Sequence, residues 1–215
     1  MKLYYASGAC SFVPHTVLEA SGAAFEPIFV KLHKGEHLTP EYLAMNPQGQ
    51  VPVLVVDDSV LTQVIAICDY LDRRFPEQKI FPVDAMARAE VLATLSWMNN
   101  SVHTTFTRIF RSEKFASDVA AQTEIKATAT RHYAKLMLEL QAKVEKLSPE
   151  QWLSGECCGP VDAYAVAVVR WAGIAGIDPS AMPALWAYVN KVALVPAVAR
   201  TIARERMELN LFKPA

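Results

Sequence analysis

The first eighty residues alternate between short β-branched apolar runs and segments whose apolar positions have helical spacing. Strands are predicted at 2–6, 25–32, 51–56 and 60–61. Helices are predicted at 11–20 and 39–45, and a third follows because Leu61, Val64, Ile65, Cys68 and Leu71 recur at i, i+3, i+4 and i+7. The short turn at 57–59 makes the last strand pair antiparallel. The pattern therefore predicts an α/β unit of order βαβαββα.

Strand-like alternation disappears after residue 84. Helices are predicted at about 85–112, 118–146, 160–175, 182–193 and 196–207. The third of these is apolar on nearly every side, which predicts the buried axis of the second half. Its start has Gly159 as a permissive cap, Pro160 at the first helical position and Asp162 at the third. We expect an α/β domain over 1–77, a linker over 78–84 and an all-α domain over 85–215.

Composition and charge exclude several classes of partner. The chain is 52% apolar and 20% charged, as in ordinary globular proteins, and its net charge is -1. This charge gives no electrostatic footprint for nucleic acid or anionic lipid. Arg204 to Glu208, with alternating charges, is interpreted as a solvated helix face. The longest apolar stretch, Ala163 to Val169, is far shorter than the roughly 20 residues that span a bilayer. Neither nucleic acid nor membrane is expected as a partner.

The four cysteines are at positions 10, 68, 157 and 158. Their spacing matches neither a metal site nor a disulfide framework, so reduced thiols in a cytoplasm are expected. The opening residues have no apolar run long enough for a signal peptide. We therefore expect a cytoplasmic protein without a metal.

Cys10 lies where the first predicted turn enters the first helix. Amide groups at a helix N-terminus stabilise anions, so the pKa of this thiol is expected to fall below its usual value of about 8.5. The alternative is a small buried thiol with no chemical role.

A proline follows Gln50 and Val51 at the start of an apolar strand, where a central strand does not normally hold one. A cis bond between Val51 and Pro52 would turn the backbone of Val51 outward, where it could pair with an extended ligand. The alternative is an ordinary proline of an edge strand.

Three segments in this order resemble the bacterial beta-class glutathione transferases: KLYYASGACSFVPH, NPQGQVPVLVVDD and LTQVIAICDYL. The similarity continues through VHTTFTRIF, WLSGECCGPVDAY and the C-terminal helices, so it covers essentially the whole chain. It implies a thioredoxin-like N-terminal domain followed by an all-helical one. It also implies glutathione as co-substrate and a homodimer in which the glutathione-binding half of one subunit meets the helical half of the other.

The resemblance assigns roles near the glutathione sulfur. Cys10 matches the cysteine that can form a mixed disulfide with glutathione, and Ser11 and Tyr5 match positions used by relatives as hydroxyl donors. His103 matches a histidine that faces the thiol. For His103, a surface or core imidazole without a catalytic role is the alternative.

The resemblance also assigns ligand-binding residues. The backbone of Val51, between Gln50 and Pro52, would pair with the cysteinyl part of glutathione. Lys34 and His37, in the loop after the second strand, are weaker candidates for binding the glycyl carboxylate, because charged loop residues are usually only solvated.

The sequence departs from the family at the start of the third helix, where Gln63 and Val64 replace the usual Glu-Ser pair that holds the γ-glutamyl end. Gln63 retains an amide oxygen for the ammonium group but lacks the charge, and Val64 retains only its backbone amide. By usual hydrogen-bond magnitudes, the loss weakens binding by about 2 kcal/mol, or roughly thirtyfold.

These residues predict a detoxifying transferase that conjugates glutathione to small hydrophobic electrophiles. Phe106, Phe110 and Phe115 are candidates for the apolar wall of the electrophile site. Cys10 also suits glutathione-dependent thiol–disulfide exchange, and disulfide or peroxide reduction is left open. The alternative is a binding or regulatory protein of the same fold that turns nothing over, which the altered Gln63-Val64 pair would fit.

Overall fold

The computed structural model describes residues 1–214. Its N-terminal half has the predicted order of elements: β1 (Lys2–Tyr5), α1 (Phe12–Ser21), β2 (Glu26–Phe29), α2 (Pro40–Met45), β3 (Val53–Val56), β4 (Ser59–Thr62) and α3 (Val64–Arg74). The four strands form one mixed sheet in the order β2-β1-β3-β4. Strand β1 is parallel to β2 and antiparallel to β3, and β3 is antiparallel to β4. The thioredoxin-like prediction is confirmed.

The second half is helical, as predicted: α4 (Ala85–Trp97), α5 (His103–Phe110), α6 (Val119–Val144), α7 (Pro160–Ile174), α8 (Pro183–Ala193) and α9 (Pro196–Glu205). The helix predicted at 85–112 is interrupted by a π-helical segment, Met98–Val102, between α4 and α5. Such segments are frequent at functional sites, and this one immediately precedes His103. Within residues 1–214, no helix combines the length and apolar character needed to cross a bilayer.

Helix α7 is the buried axis of the second half, as its all-round apolar pattern predicted. Every residue from Pro160 to Val169 is buried. At its start, Asp162 accepts the Gly159 amide at 2.8 Å, and the hydroxyl of Ser154 accepts the Val161 amide at 3.0 Å. A Cβ on Gly159 would lie 2.9 Å from the Cβ of Ser154. The missing side-chain cap is therefore replaced by a serine from the preceding loop, which approaches only because residue 159 is glycine.

Helix α1 joins the two halves, because it packs against α3 on one side and against α7 and α9 on the other. The turn that precedes α1, residues 6–11, is thereby placed where the helical half meets the sheet. This turn contains Cys10.

Candidate active site

The turn before α1 is closed by Ser11. This side chain is fully buried, and its hydroxyl accepts the Ala6 amide at 3.1 Å and donates to the Ala6 carbonyl at 3.2 Å. Its single hydrogen is thus used inside the protein. The prediction that Ser11 donates a hydrogen bond to a bound thiol is not supported by these contacts, which give it the role of fixing the turn.

The helical half holds the same turn at Gly8. The Gly8 amide donates to the Glu205 carboxylate at 2.8 Å, and the indole nitrogen of Trp171 donates to the Gly8 carbonyl at 2.7 Å. The hydroxyl of Ser7 donates to the backbone carbonyl of Glu205 at 2.6 Å. Gly8 has φ of +64°, and a Cβ there would lie 2.5 Å from the Arg170 guanidinium. The left-handed φ favours glycine at residue 8, whereas the guanidinium is the flexible end of the Arg170 side chain and can move to admit a Cβ.

Glu205 is not part of a solvated helix face, and that interpretation of the sequence was wrong. Its exposed fraction is 4%, and its carboxylate lies 2.7 Å from Nδ1 of His15, with both side chains fully buried. Burial raises the pKa of Glu205, while the hydrogen bonds from His15 and from the Gly8 amide act in the opposite direction. The alternating charges of its neighbours concealed this role, and Trp171 likewise had no local signal.

Cys10 is buried, with an exposed fraction of 8%, and its thiol donates to the Val51 carbonyl at 3.4 Å. Burial raises the pKa of Cys10 to about 12, although the backbone amides of Cys10 and Ser11 stabilise the thiolate as expected. The predicted fall in this pKa is therefore wrong. The amides are correctly placed at the helix start, but removing the thiolate from water outweighs them.

The peptide bond between Val51 and Pro52 is cis, as one of the two interpretations of the sequence predicted. The preceding carbonyl, of Gln50, accepts hydrogen bonds from the Tyr42 hydroxyl and from the side-chain amide of Asn46, both at 2.8 Å. The segment that carries Val51 is thus anchored from α2, directly opposite Cys10.

Gln63 and Val64 form the start of α3. Gln63 has φ of +72°, and its amide nitrogen donates to the side-chain oxygen of Gln48 at 2.9 Å. Its own amide oxygen is left as an acceptor by this geometry. Val64 is buried. The first backbone amides of a helix have no intrahelical acceptor, and the Gln63 side chain does not cap those of α3. The site therefore presents one neutral acceptor beside a row of backbone donors.

Lys34 and His37 lie in the loop between β2 and α2. Lys34 is exposed, whereas His37 is partly buried, and its Nδ1 has no hydrogen-bond partner among residues 1–214. Burial, followed by the charges of Arg111 and Lys114, lowers the pKa of His37. His37 is therefore neutral near pH 7 and lies within electrostatic range of Arg111, which follows α5.

Tyr5 is buried, and its ring packs against two neighbouring rings. Its ring centroid lies 4.8 Å from that of His15 and 5.6 Å from that of Phe29. Burial and the nearby Glu205 raise the pKa of Tyr5. Successive strand residues point to opposite faces, and position 5 belongs to the face that meets α1. Its ring therefore belongs to the core, and its role as a hydroxyl donor stays a prediction.

His103 lies close to the residues that hold the turn. Its ring centroid is 4.8 Å from that of Trp171, and its Nδ1 is 2.8 Å from the hydroxyl of Tyr164. That hydroxyl is also 3.2 Å from the side-chain oxygen of Asn99, in the π-helical segment. Burial lowers the pKa of His103 to about 4, so the imidazole is neutral near pH 7. Tyr164 and Asn99 orient this ring, and sequence reasoning missed both.

The aromatic residues of α5 form a stack that continues from Trp171. Trp171 and Phe106 are 4.9 Å apart at 15°, and Phe106 and Phe110 are 5.7 Å apart at 12°. Phe106 is buried, whereas 60% of Phe110 is exposed. Phe115 lies beneath the guanidinium of Arg108, at 5.5 Å. Two of the three predicted wall residues thus belong to one stack, which runs from the Gly8 turn to the surface.

Within residues 1–214, no group of three or more His, Cys, Asp or Glu side chains is arranged to hold a metal ion.

A thioredoxin-like half, a helical half and a cysteine opposite a cis-proline define a class of proteins with known members. Residues 1–73 match the family profile "Glutathione S-transferase, N-terminal domain". Over 214 residues the chain is 32% identical to glutathione S-transferase GstA of Escherichia coli O157:H7, covering 97% of this chain and 100% of the relative.

Solved structures give the same result. The beta-class glutathione S-transferase of Sphingomonas chungbukensis superposes with a TM-score of 0.82 at 30% identity, covering 95% of this chain and 98% of that one. A sphingomonad glutathione S-transferase complexed with glutathione has a TM-score of 0.82 at 29% identity, covering 97% and 100%. The chain belongs to the glutathione S-transferase family.

Proposed function

We propose that this protein is a transferase that joins the sulfur of glutathione to small hydrophobic electrophiles. The observation that carries the proposal is the approach of Cys10 to the Val51 carbonyl, at 3.4 Å, in a chain similar over its whole length to named transferases. This approach places the start of α1, with the Cys10 sulfur and the backbone amides of Cys10 and Ser11, beside the backbone of Val51. That backbone can pair with a peptide.

Glutathione would bind with its cysteinyl part along the backbone of Val51. Its γ-glutamyl carboxylate would meet the free amides at the start of α3, and Gln63 would accept a hydrogen bond from the ammonium group. The glycyl carboxylate would lie toward Lys34 and His37. Because the ammonium meets a neutral amide, we expect weaker binding than an acidic residue would give.

The chemistry proposed at this site is nucleophilic attack by the glutathione thiolate. The sulfur forms a bond to the electrophilic carbon, the leaving group departs with its electron pair, and the thiol proton goes to solvent. The amides of Cys10 and Ser11 would stabilise the thiolate. Cys10, held as a thiol by its raised pKa and donating its S–H to the Val51 carbonyl, would lie beside the bound sulfur. His103 would add a neutral imidazole on the opposite side.

Conjugation is favoured over thiol–disulfide exchange at Cys10. Exchange requires a thiolate on the attacking residue, and burial raises the pKa of Cys10 to about 12. The alternative is a binding protein without catalytic activity. Neither the contacts of the described residues nor the relatives support it.

Isothermal titration with reduced glutathione, in reductant at neutral pH, tests the proposal. We expect a Kd between micromolar and low millimolar, together with conjugation of 1-chloro-2,4-dinitrobenzene. No binding at about 10 mM glutathione would overturn it. The Cys10→Ala variant is expected to lose part of the conjugating activity, and full retention of both conjugation and disulfide reduction would remove Cys10 from the mechanism.

We further propose that the protein acts as a detoxifying homodimer in the cytoplasm. The resemblance of the sequence to the beta-class transferases implies an arrangement in which the sheet half of one subunit meets the helical half of the other. Light scattering on the purified protein should give twice the monomer mass, and a monomer at working concentrations would contradict this part of the proposal.

A further inference from the structure

His103 is held by a row of hydrogen bonds that the conjugation chemistry leaves unexplained. Its Nδ1 is 2.8 Å from the Tyr164 hydroxyl, and that hydroxyl is 3.2 Å from the side-chain oxygen of Asn99. Tyr164 is fully buried in α7, and Asn99 belongs to the π-helical segment. These three side chains are called the Tyr164 network below. A hydroxyl has one hydrogen and a neutral imidazole has one, so the direction of each hydrogen bond decides where the hydrogens lie.

The direction is set by the side-chain amide of Asn99. Its nitrogen donates to the side-chain oxygen of Asn100 at 3.1 Å, so its oxygen is the atom that faces Tyr164. A carbonyl oxygen only accepts, and Tyr164 therefore donates its single hydrogen to Asn99. With that hydrogen used, the Tyr164 oxygen can only accept at its other contact. The hydrogen between Tyr164 and His103 must then be on Nδ1.

The second ring nitrogen of His103 is consequently a bare acceptor. Burial lowers the pKa of His103 to about 4, so the ring is neutral near pH 7 and carries one hydrogen. Since that hydrogen is on Nδ1, Nε2 has a free lone pair. Within residues 1–214, Nε2 makes no hydrogen bond, and it is not sealed from solvent, because the side chain is partly exposed. The network thus leaves one acceptor nitrogen open to an incoming molecule.

The imidazole lies two contacts from the turn that carries Cys10. Its ring centroid is 4.8 Å from that of Trp171, and the indole nitrogen of Trp171 donates to the Gly8 carbonyl at 2.7 Å. Trp171 and Tyr164 are seven residues apart on α7, so they lie on one face of the same buried helix, with their rings in edge contact. One helix therefore supports both the Gly8 turn and the His103 ring.

We propose that Tyr164 and Asn99 are positioning residues of the reaction: they fix His103 as the tautomer with hydrogen on Nδ1, so that Nε2 accepts the thiol hydrogen of bound glutathione. This inference rests on the proposed transferase function and gives the thiol proton a route to solvent. It also gives His103 a direction, because a ring with a bare Nε2 cannot donate a hydrogen bond to the thiolate.

The step is a proton transfer in which no atom is oxidised or reduced. The S–H bond of glutathione breaks and its electron pair stays on sulfur, while the Nε2 lone pair forms the new N–H bond. The imidazolium then releases this proton to water. Because burial lowers the pKa of His103 to about 4, the proton does not remain on the ring at neutral pH. Nδ1 keeps its hydrogen throughout, so the Tyr164 network is the same after each turnover.

Nitrogen-15 NMR of the free protein tests the tautomer without any activity. Protonated and bare ring nitrogens have well-separated shifts, so each nitrogen of His103 is observed directly at neutral pH. We expect a hydrogen on Nδ1 and none on Nε2. Asn99→Asp keeps an oxygen acceptor for Tyr164 and should keep this tautomer, whereas Asn99→Leu and Tyr164→Phe should give a mixture of the two.

Stopped-flow measurement with a pH indicator tests the proton transfer. Mixing the protein with glutathione at neutral pH releases the thiol proton, and we expect His103→Gln to slow this release by about a hundredfold. Tyr164→Phe should slow it by about fivefold, in proportion to the fraction of the competent tautomer. Tyr133→Phe is the matched control. It removes another buried tyrosine hydroxyl, which donates to the Val168 carbonyl of α7 at 2.7 Å, and it should change neither the release nor the tautomer.

The outcomes separate this inference from the proposed function. A hydrogen on Nε2 in the free protein, or a mixture of tautomers, overturns the positioning role of Tyr164 and Asn99 and leaves the transferase proposal in place. The expected tautomer with proton release unchanged in His103→Gln overturns the acceptor role. Equal losses in Tyr133→Phe and Tyr164→Phe show a general effect of a lost buried hydroxyl and contradict the assigned network. Absence of glutathione binding overturns the proposed function and the acceptor role together, whereas the nitrogen shifts still decide the tautomer.

Discussion

The start of helix α7 and Trp171, near its other end, are both buried but have different roles. At its start, Asp162 accepts the amides of Leu153, Ser154 and Gly159 at 2.9, 3.3 and 2.8 Å, together with the hydroxyl of Tyr188. Toward its end, Trp171 donates to Gly8, in the other half of the molecule. One end closes a polar network within the helical half, and the other reaches the sulfur site.

The difference shows how one rigid helix serves both stability and function. A carboxylate with four donors is fully satisfied, so the start of α7 has no capacity left for a ligand. At the other end, the indole hydrogen bond and the aromatic contacts connect to the turn of Cys10. We expect substitutions at the start to affect folding and those at the end to affect catalysis.

Asp162→Ala should give the largest effect. It leaves buried amides and the Tyr188 hydroxyl without their acceptor, so we expect the free energy of unfolding to fall by about 3–5 kcal/mol. Urea denaturation measures this loss. The exposed cap Asp118, which accepts the Ala121 amide at 2.8 Å, provides the control, because Asp118→Ala should cost only about 1 kcal/mol. Equal losses would contradict the contrast between a network and a single cap.

Trp171→Phe should affect catalysis more than folding. The ring contacts with Phe106 are retained while the hydrogen bond to Gly8 is lost, so we expect kcat/KM to fall about tenfold with less than about 2 kcal/mol of destabilisation. Trp186→Phe, in α8, is the matched control. Steady-state kinetics and urea denaturation of both variants measure the split, and unchanged kinetics for Trp171→Phe would show that the turn is held without it.

The Cys10 thiol should resist alkylation at neutral pH. Because burial raises its pKa to about 12, the iodoacetamide rate should still rise through about pH 9.5 without a plateau. Mass spectrometry of the peptide that contains Cys10 separates its reaction from that of the exposed Cys157. A plateau below about pH 8 would show a stabilised thiolate and restore the lowered pKa predicted from the helix start.

Replacing His103 should have a smaller effect, which concerns the free energy of unfolding at acidic pH. Burial lowers its pKa from 6.5 to about 4. As the pH falls, the imidazole therefore becomes protonated at a higher pH in the unfolded chain than in the folded one. The stability due to the neutral ring is present above pH 6.5 and is lost as the pH falls toward 4. Denaturation midpoints across this range should fall less steeply for His103→Gln than for the parent protein. Parallel curves would show that the pKa of His103 is not shifted.

Local sequence pattern determined the order of the elements and part of the site. The helical spacing from Leu61 to Leu71 predicted α3, and the apolar run at the start of α7 predicted the buried axis, because periodicity reports which faces are buried. The position of Cys10 before α1 also followed from a few neighbouring residues, whereas the residues around Val51 left a cis bond and an ordinary edge-strand proline as alternatives. These features depend on short stretches of chain, where backbone chemistry dominates.

Only the tertiary structure decided how these residues behave. Glu205 and His15 are 190 positions apart in the sequence, and they are in contact in the fold. The Glu205 carboxylate, which was predicted to be solvated, is buried there and accepts the Gly8 amide. The fold likewise placed the ring of Tyr5 against that of His15. Sequence predicted amides beside the Cys10 thiol, but the burial that raises its pKa comes from packing of distant segments. Desolvation depends on the whole fold, and so the acidity at this site could not be determined from the sequence alone.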